Sequence, residues 1–173
     1  VATGVGLGRF GKLLKLVVSS CTRIAEAGWK EIASLERVRH LNASRCLLTN
    51  DYCRFLTDLG ELTQLDVSAC TLISESGFAQ FGGMHLESIH LAGCKGVSSQ
   101  GLRRAINDKY LRSIVLDACG GVNDESILLL GDCKKLELLS LSRCSGLTEK
   151  AAEGIAKMAL VRLDLHGCAF VDD

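Results

Sequence analysis

One nine-residue phrase occurs seven times along this chain, at steps of 24 or 25 residues. Its third copy reads LTQLDVSAC, and all seven follow L-x-x-L-x-L-x-x-C, with Val, Ile or Ala replacing Leu in some copies. A fixed period of this length is typical of solenoids, in which each repeat buries its apolar side against its neighbours and none can fold alone. The phrase therefore predicts a linear core.

The phrase also predicts the local structure of each repeat. Its fourth and sixth residues are apolar, and the fifth, for example Asn42, Asp66 or His90, is often polar. Alternation with period two indicates a short strand with one buried face. Because the repeats are almost equal in length, successive strands should lie side by side in parallel.

A helix should begin a few residues after each cysteine. Residues that can accept a hydrogen bond from exposed backbone N–H groups occur there, and we expect them to be N-caps: Thr49, Ser74, Ser98, Asn123 and Thr148. Apolar pairs at helical spacing follow, such as Trp29 with Ile32 and Phe78 with Phe81. The predicted fold is an α/β solenoid with seven parallel strands on the concave face and short helices on the convex face.

The chain has nine cysteines, and all nine fall at positions that we expect to be interior. Seven end the repeat phrase: Cys21, Cys46, Cys70, Cys94, Cys119, Cys144 and Cys168. Cys53 and Cys133 replace apolar residues of other repeats. Side chains that are parallel and stacked are poorly placed for disulfides or for tetrahedral zinc, so we predict a structural ladder of reduced thiols.

Composition excludes several classes of function. Twenty basic residues balance 20 acidic ones, so the strongly basic footprint of a nucleic-acid-binding protein is missing. Apolar runs are too short to span a bilayer, which predicts a soluble protein without direct membrane insertion. Reduced thiols indicate an intracellular, reducing compartment: the cytoplasm, or the mitochondrial matrix if a presequence has been removed.

The phrase-ending cysteine and the stretches VNDESILLL and CKKLELLSLSRC, which begin at Val122 and Cys133, resemble the cysteine-containing class of leucine-rich repeats. F-box substrate receptors of ubiquitin ligases typify that class, which belongs to the ribonuclease-inhibitor-like superfamily. Relatives without an F-box include ciliary regulatory-complex subunits and mitochondrial assembly factors. The resemblance implies a single leucine-rich-repeat domain over residues 1–173. Because residues 1–11 and 171–173 fall within incomplete repeats, we expect a segment of a longer protein or an assembly subunit.

No residue pattern predicts catalysis. Asp66, His90 and Ser68 lie near each other in adjacent repeats, and Asp164 and His166 form a similar pair. A flat strand ladder gives neither a strained nucleophile turn nor an oxyanion hole, however. The histidines have no metal-binding spacing. We therefore predict a protein that is not an enzyme and that uses neither cofactor nor metal.

The concave face is the remaining candidate, and we predict that it binds a protein as a non-catalytic scaffold within a larger complex. Two alternatives stay open: an architectural subunit or assembly factor of a mitochondrial or ciliary complex, and the substrate-recognition arm of an F-box ubiquitin ligase. The predicted partner-binding residues occupy the third and fifth positions of the phrase: Lys15, His40, Asn42, Gln64, Asp66, His90, Ser140, Arg162 and Asp164.

Overall fold

The computed structural model describes residues 6–171, and these contain a seven-stranded parallel sheet in which the strands follow the order of the sequence. Each strand pairs with the next at equivalent positions of the phrase; Leu41, for example, lies opposite Leu65. The strands β1 to β7 are Lys15–Val17, His40–Asn42, Gln64–Asp66, Ser88–His90, Ser113–Val115, Leu138–Ser140 and Arg162–Asp164.

A layer of short helices packs behind the sheet, each helix against the next. The helices α1 to α6 are Glu26–Ala33, Asn50–Leu56, Glu75–Phe78, Ser99–Ala105, Asp124–Leu130 and Glu149–Ile155. Short 3-10 helices cover Leu7–Arg9, Ala79–Gly83 and Ala169–Val171. Helices are about 10 Å wide and strands lie about 4.8 Å apart, so the stack curves with the strands on its concave side. The predicted fold is confirmed.

The core runs between the two layers as one continuous cluster. The fourth residue of the phrase is buried in the first six repeats, and the helix pair of Phe78 and Phe81 meets edge to face with ring centroids 6.2 Å apart. In β7, Leu163 is 44% exposed. No strand lies beyond β7 in the described residues to cover it.

Thiol groups link successive repeats. The Sγ–H of a phrase-ending cysteine donates to a backbone carbonyl of the preceding repeat at 3.0–3.2 Å in six cases, among them Cys94 to Val67 O. Val67 O also accepts the N–H of Cys70 at 3.1 Å, so both of its acceptor sites are used. The thiol is a small apolar group that still donates one hydrogen bond, which suits this buried position.

Eight of the nine predicted interior cysteines are buried, and all nine are free thiols. The prediction for Cys21 was wrong, because its side chain is exposed. Cys21 belongs to the first repeat, which has no preceding strand among the described residues to receive its thiol. The ladder therefore has six buried members.

A left-handed residue precedes every phrase-ending cysteine. The backbone φ there is 53–68° in all seven repeats, at Ser20, Arg45, Ala69, Gly93, Ala118, Arg143 and Gly167. A left-handed conformation strains any residue that has a Cβ. Five of the seven repeats have a residue other than glycine there and carry this strain.

Helix N-caps follow the prediction in three repeats. The side chains of Ser98, Asn123 and Thr148 accept backbone N–H groups at 3.1–3.3 Å. The prediction of side-chain caps was wrong for Thr49 and Ser74, which occupy the N-cap position without making the bond. The Ser74 hydroxyl instead accepts Nδ2 of Asn50, at 2.8 Å, in the preceding repeat.

The ends of the chain are only partly described. Residues 7–9 form a 3-10 helix, and residues 1–5 and 172–173 lie outside the described residues. Among residues 6–171, no helix has both the length and the apolar content required to cross a bilayer.

Candidate functional site: the concave face

The third and fifth residues of each phrase point away from the core and form the concave face. Lys15, Gln64, Arg162 and Asp164 are exposed there, and His40, Asn42, Asp66 and His90 are half-buried. These eight predicted binding residues lie on one continuous surface, because the strands pair in register. Their role in binding stays a prediction.

Ser140 is the exception among the predicted binding residues, because its side chain is buried at 8% exposure. Its hydroxyl donates to Oδ1 of Asp117 at 2.6 Å, and the same oxygen accepts the backbone N–H of Ser142 at 3.0 Å. Ser140 therefore belongs to a bond between repeats five and six. Burial and that bond leave little of its side chain for a partner to contact, although Ser140 is among the residues that line the concave face over β5 to β7.

Several polar residues of the concave face stabilise the turns that follow the strands. Oδ1 of Asp66 accepts the backbone N–H of Ser68 at 2.9 Å, and its Oδ2 accepts Nδ2 of Asn42 at 2.9 Å. Oδ1 of Asn42 accepts the N–H of Ser44 at 3.0 Å. These are Asx turns. These turns were not predicted from the sequence, although an Asn or Asp two residues before a Ser is the signal for them.

The last repeat has the same turn. Oδ1 of Asp164 accepts the backbone N–H of His166 at 2.9 Å. This bond, with a further one to Ser142, lowers the pKa of the Asp164 carboxyl below its ordinary value. Asp164 therefore presents a carboxylate to solvent, but one oxygen of it is already engaged by the turn.

The geometry does not assemble a hydrolytic triad from Asp66, His90 and Ser68. Asp66 accepts the backbone N–H of Ser68, not its hydroxyl. Within residues 6–171 the ring of His90 takes part in no hydrogen bond or ion pair, although β3 and β4 place it beside Asp66. A hydroxyl needs a bonded base to become a nucleophile, and these side chains do not provide one.

The arrangement of these side chains does not support a metal site either. No cluster of three or more His, Cys, Asp or Glu side chains within residues 6–171 could hold a metal ion. Burial raises the pKa of the Cys70 thiol to about 11 and that of the Cys94 and Cys144 thiols to about 12. Since metals bind the thiolate, burial opposes ligation at these sulfurs.

Two open depressions divide the concave face. The first, of about 260 Å³, lies over β1 to β4 and is lined by Lys15, His40 and His90 among others. There His40 Nδ1 donates to Oε1 of Gln64 at 2.7 Å. An amide oxygen only accepts, so this assignment puts the ring hydrogen on Nδ1.

The second depression, of about 620 Å³, lies over β5 to β7. Its lining is more apolar and includes Leu138, Val161 and Leu163, together with the guanidinium of Arg162. The concave face thus combines a polar half in the first four repeats with a half in the last three that can also accept apolar groups.

Comparisons with known proteins support the fold. No family model matches the chain, and no curated protein sequence does. Among solved structures, a chain of the Rad7 and Elc1 complex of yeast is 21% identical with a TM-score of 0.71, over 86% of this chain and 41% of that one. An internalin (inlF) of Listeria monocytogenes is 15% identical with a TM-score of 0.62, over 92% and 49%. TLR13, from its complex with ssRNA13, is 20% identical with a TM-score of 0.56, over 94% and 26%.

These similarities, together with the seven-stranded sheet, establish a leucine-rich-repeat solenoid. This chain spans less than half the length of each of the three proteins. At such identities the likeness concerns the fold alone.

Proposed function

We propose that this chain is a non-catalytic module that binds another protein through its concave face. One observation carries the proposal: the third and fifth residues of seven strands form a single open ladder in register, and it contains both depressions. Core packing uses the first, fourth, sixth and ninth residues of the phrase in most repeats, and not the third. Most third-position side chains are therefore available to a partner without cost to the fold.

The size of the face suits a specific interface. Seven strands about 4.8 Å apart extend about 29 Å. A standard interface of about 800 Å² per partner corresponds to a patch about 28 Å across, which the ladder and its flanking turns would fill. A partner of domain size, or a long extended segment, fits such a surface better than a small molecule does, since both depressions are open.

The six thiol–carbonyl bonds favour the cysteine-containing class of leucine-rich repeats, because they give its diagnostic residue a repeated structural role. F-box substrate receptors typify that class. The substrate-recognition arm of a ubiquitin ligase is accordingly the second candidate function. Buried, protonated thiols also support residence in a reducing compartment.

Site-specific photo-crosslinking tests the proposal. A photoreactive amino acid replaces Ser88 or Ser113, which are third-position residues of β4 and β5, and Leu128 on α5, which is 69% exposed, serves as the convex control. Each variant is crosslinked in extract of the source cells, and adducts are identified by mass spectrometry. We expect one protein to be captured from both concave positions and not from Leu128. Capture from Leu128 alone would overturn the proposal.

A further inference from the structure

Charge is unevenly distributed on this neutral protein. Six exposed basic residues lie on the concave face or in the turns between a strand and the next helix, which we call the post-strand turns: Lys15, Arg23, Arg45, Lys95, Arg143 and Arg162. The same region contains three aspartates, at Asp66, Asp117 and Asp164. The concave side is therefore net basic.

None of these six cations has an acidic partner within 4 Å among residues 6–171. The ion pairs of the described chain use other basic residues, namely Lys30, Arg39, Arg103 and Arg112. Each of the three aspartates, in contrast, accepts a backbone N–H of a turn. The aspartates of this side thus stabilise the turns, whereas its basic side chains are free to bind a partner.

We propose that the partner of this side is an extended, acidic protein segment that crosses the strands; this rests on the proposed function. Arg45, Lys95 and Arg143 lie in the turns after β2, β4 and β6, and these strands are two places, or about 10 Å, apart in the sheet. Arg45 and Arg143 precede the cysteine of their phrase and Lys95 follows it, so the spacing is that of the turns. A chain in the extended polyproline II conformation rises about 3.1 Å per residue with three residues per turn, so it covers that distance in about three residues and presents every third side chain on the same side. A segment with Asp or Glu at every third position therefore matches the row.

The second depression adds an apolar requirement to the segment. Val115 and Leu138, which are outward residues of β5 and β6, line it beside Arg162. An apolar side chain near the end of the segment that lies over β6 and β7 would bury there, with a carboxylate next to it for Arg162. Charge complementarity then sets the position of the segment, and burial of the apolar group adds affinity.

A protein segment fits these features better than a nucleic acid does. Single-stranded nucleic acids bind by stacking bases on aromatic side chains in a basic groove. The third and fifth positions of the phrase contain no Phe, Tyr or Trp. Asp66 and Asp164 would also repel phosphates that lie along the strands, whereas a peptide can place its acidic groups between them.

Fluorescence anisotropy with a labelled twelve-residue peptide tests the proposal. The probe has Glu at every third position and Leu near one end; a second peptide replaces each Glu with Gln, and a third probe is oligouridylate of twelve nucleotides. We expect the Glu peptide to bind about tenfold or more tightly than the Gln peptide, and to weaken as salt rises from about 50 to 300 mM.

Charge reversal locates the binding surface. The triple variant Arg45→Glu, Lys95→Glu, Arg143→Glu should weaken the Glu peptide about tenfold or more. The matched control Arg104→Glu, Lys109→Glu, Lys157→Glu changes the net charge equally, uses exposed cations outside any ion pair of the described chain, and should bind as the parent does. Circular dichroism verifies that both variants fold.

Three results would overturn the inference: equal weakening by both triple variants, equal binding of the Glu and Gln peptides, or tighter binding of oligouridylate to the concave side. Its failure differs from failure of the proposed function. If Ser88 and Ser113 crosslink to a protein whose binding ignores the Arg45, Lys95 and Arg143 reversals, the concave module stands and the acidic segment falls. If neither position crosslinks to protein, the module itself is wrong.

Discussion

The thiol ladder makes a quantitative prediction, because Cys94 and Cys21 hold the same position of the phrase in different surroundings. Cys94 is 1% exposed and donates to Val67 O at 3.2 Å. Cys94→Ala removes that weak bond, and Val67 O keeps its bond to Cys70 N–H, so the loss is about 0.5–1 kcal/mol. Removing three buried carbons in Leu→Ala costs about 3–5 kcal/mol, so one buried sulfur adds about 1–1.5 kcal/mol.

We therefore expect Cys94→Ala to lower the free energy of unfolding by about 2 kcal/mol. Cys21→Ala should change it by less than about 0.5 kcal/mol, because that side chain is exposed. Urea titrations followed by circular dichroism, with reductant present, measure both values. Equal losses for the two variants would refute the assignment of the thiol as a buried inter-repeat donor and would indicate that the cysteine matters for another reason.

Two further predictions concern pH and the left-handed turn. Burial raises the pKa of the Cys53, Cys94 and Cys144 thiols to about 12 in the folded protein, whereas the pKa of a thiol in the unfolded chain is about 8.5. Above about pH 9 the folded state therefore binds more protons than the unfolded state does. Stability should be flat between pH 6 and 8 and then fall by about 1.4 kcal/mol per pH unit for each such thiol, with a shallower fall in Cys94→Ala; a flat urea midpoint to pH 10 would contradict this. At the left-handed position φ is 53° for Ala118 and 68° for Gly93. Ala118→Gly should therefore raise the free energy of unfolding by about 1 kcal/mol and Gly93→Ala should lower it by about 1 kcal/mol, which melting temperatures would report. Shifts of the opposite sign would show that the turn is not strained.

The features that sequence analysis could predict are those set by burial. Buried apolar residues such as Leu65 in the strand and Phe78 in the helix recur with the period of the repeat. Because burial of apolar area is the main stabilising contribution, the spacing of these residues identifies the strand, the helix and the core between them. The same periodicity put Cys53 and Cys133 in the core, where the structure has them.

The features that it could not predict depend on a specific neighbour. Cys21 has the correct phrase but no preceding strand among the described residues, so its burial fails at the end of the stack. Ser74 has the correct type for an N-cap, yet Asn50 of the previous helix takes its hydroxyl. Ser140 occupies an outward position, but Asp117 draws it into a bond. A periodic pattern describes an average repeat, so it cannot predict contacts that occur in one repeat only.

Turn stabilisation divides the concave face into two sets of residues with different freedom to change. Asn42, Asp66 and Asp164 occupy the fifth position, and each accepts a turn N–H, so replacement there lowers stability before it alters recognition. In the sixth repeat, where the fifth residue is Ser140, Asp117 of the neighbouring repeat supplies the acceptor.

The third position has no such duty toward the turns. Within residues 6–171 the exposed side chains of Lys15 and Arg162 make no hydrogen bond to the post-strand turns, and the side chain of Gln64 bonds only to the ring of His40. Because these side chains and the cations of the turns do not supply the hydrogen bonds that hold the turns, they can be substituted at little cost in stability. Specificity for a partner should therefore reside in the third position and in Arg45, Lys95 and Arg143, and less in the aspartates that first suggest a binding site.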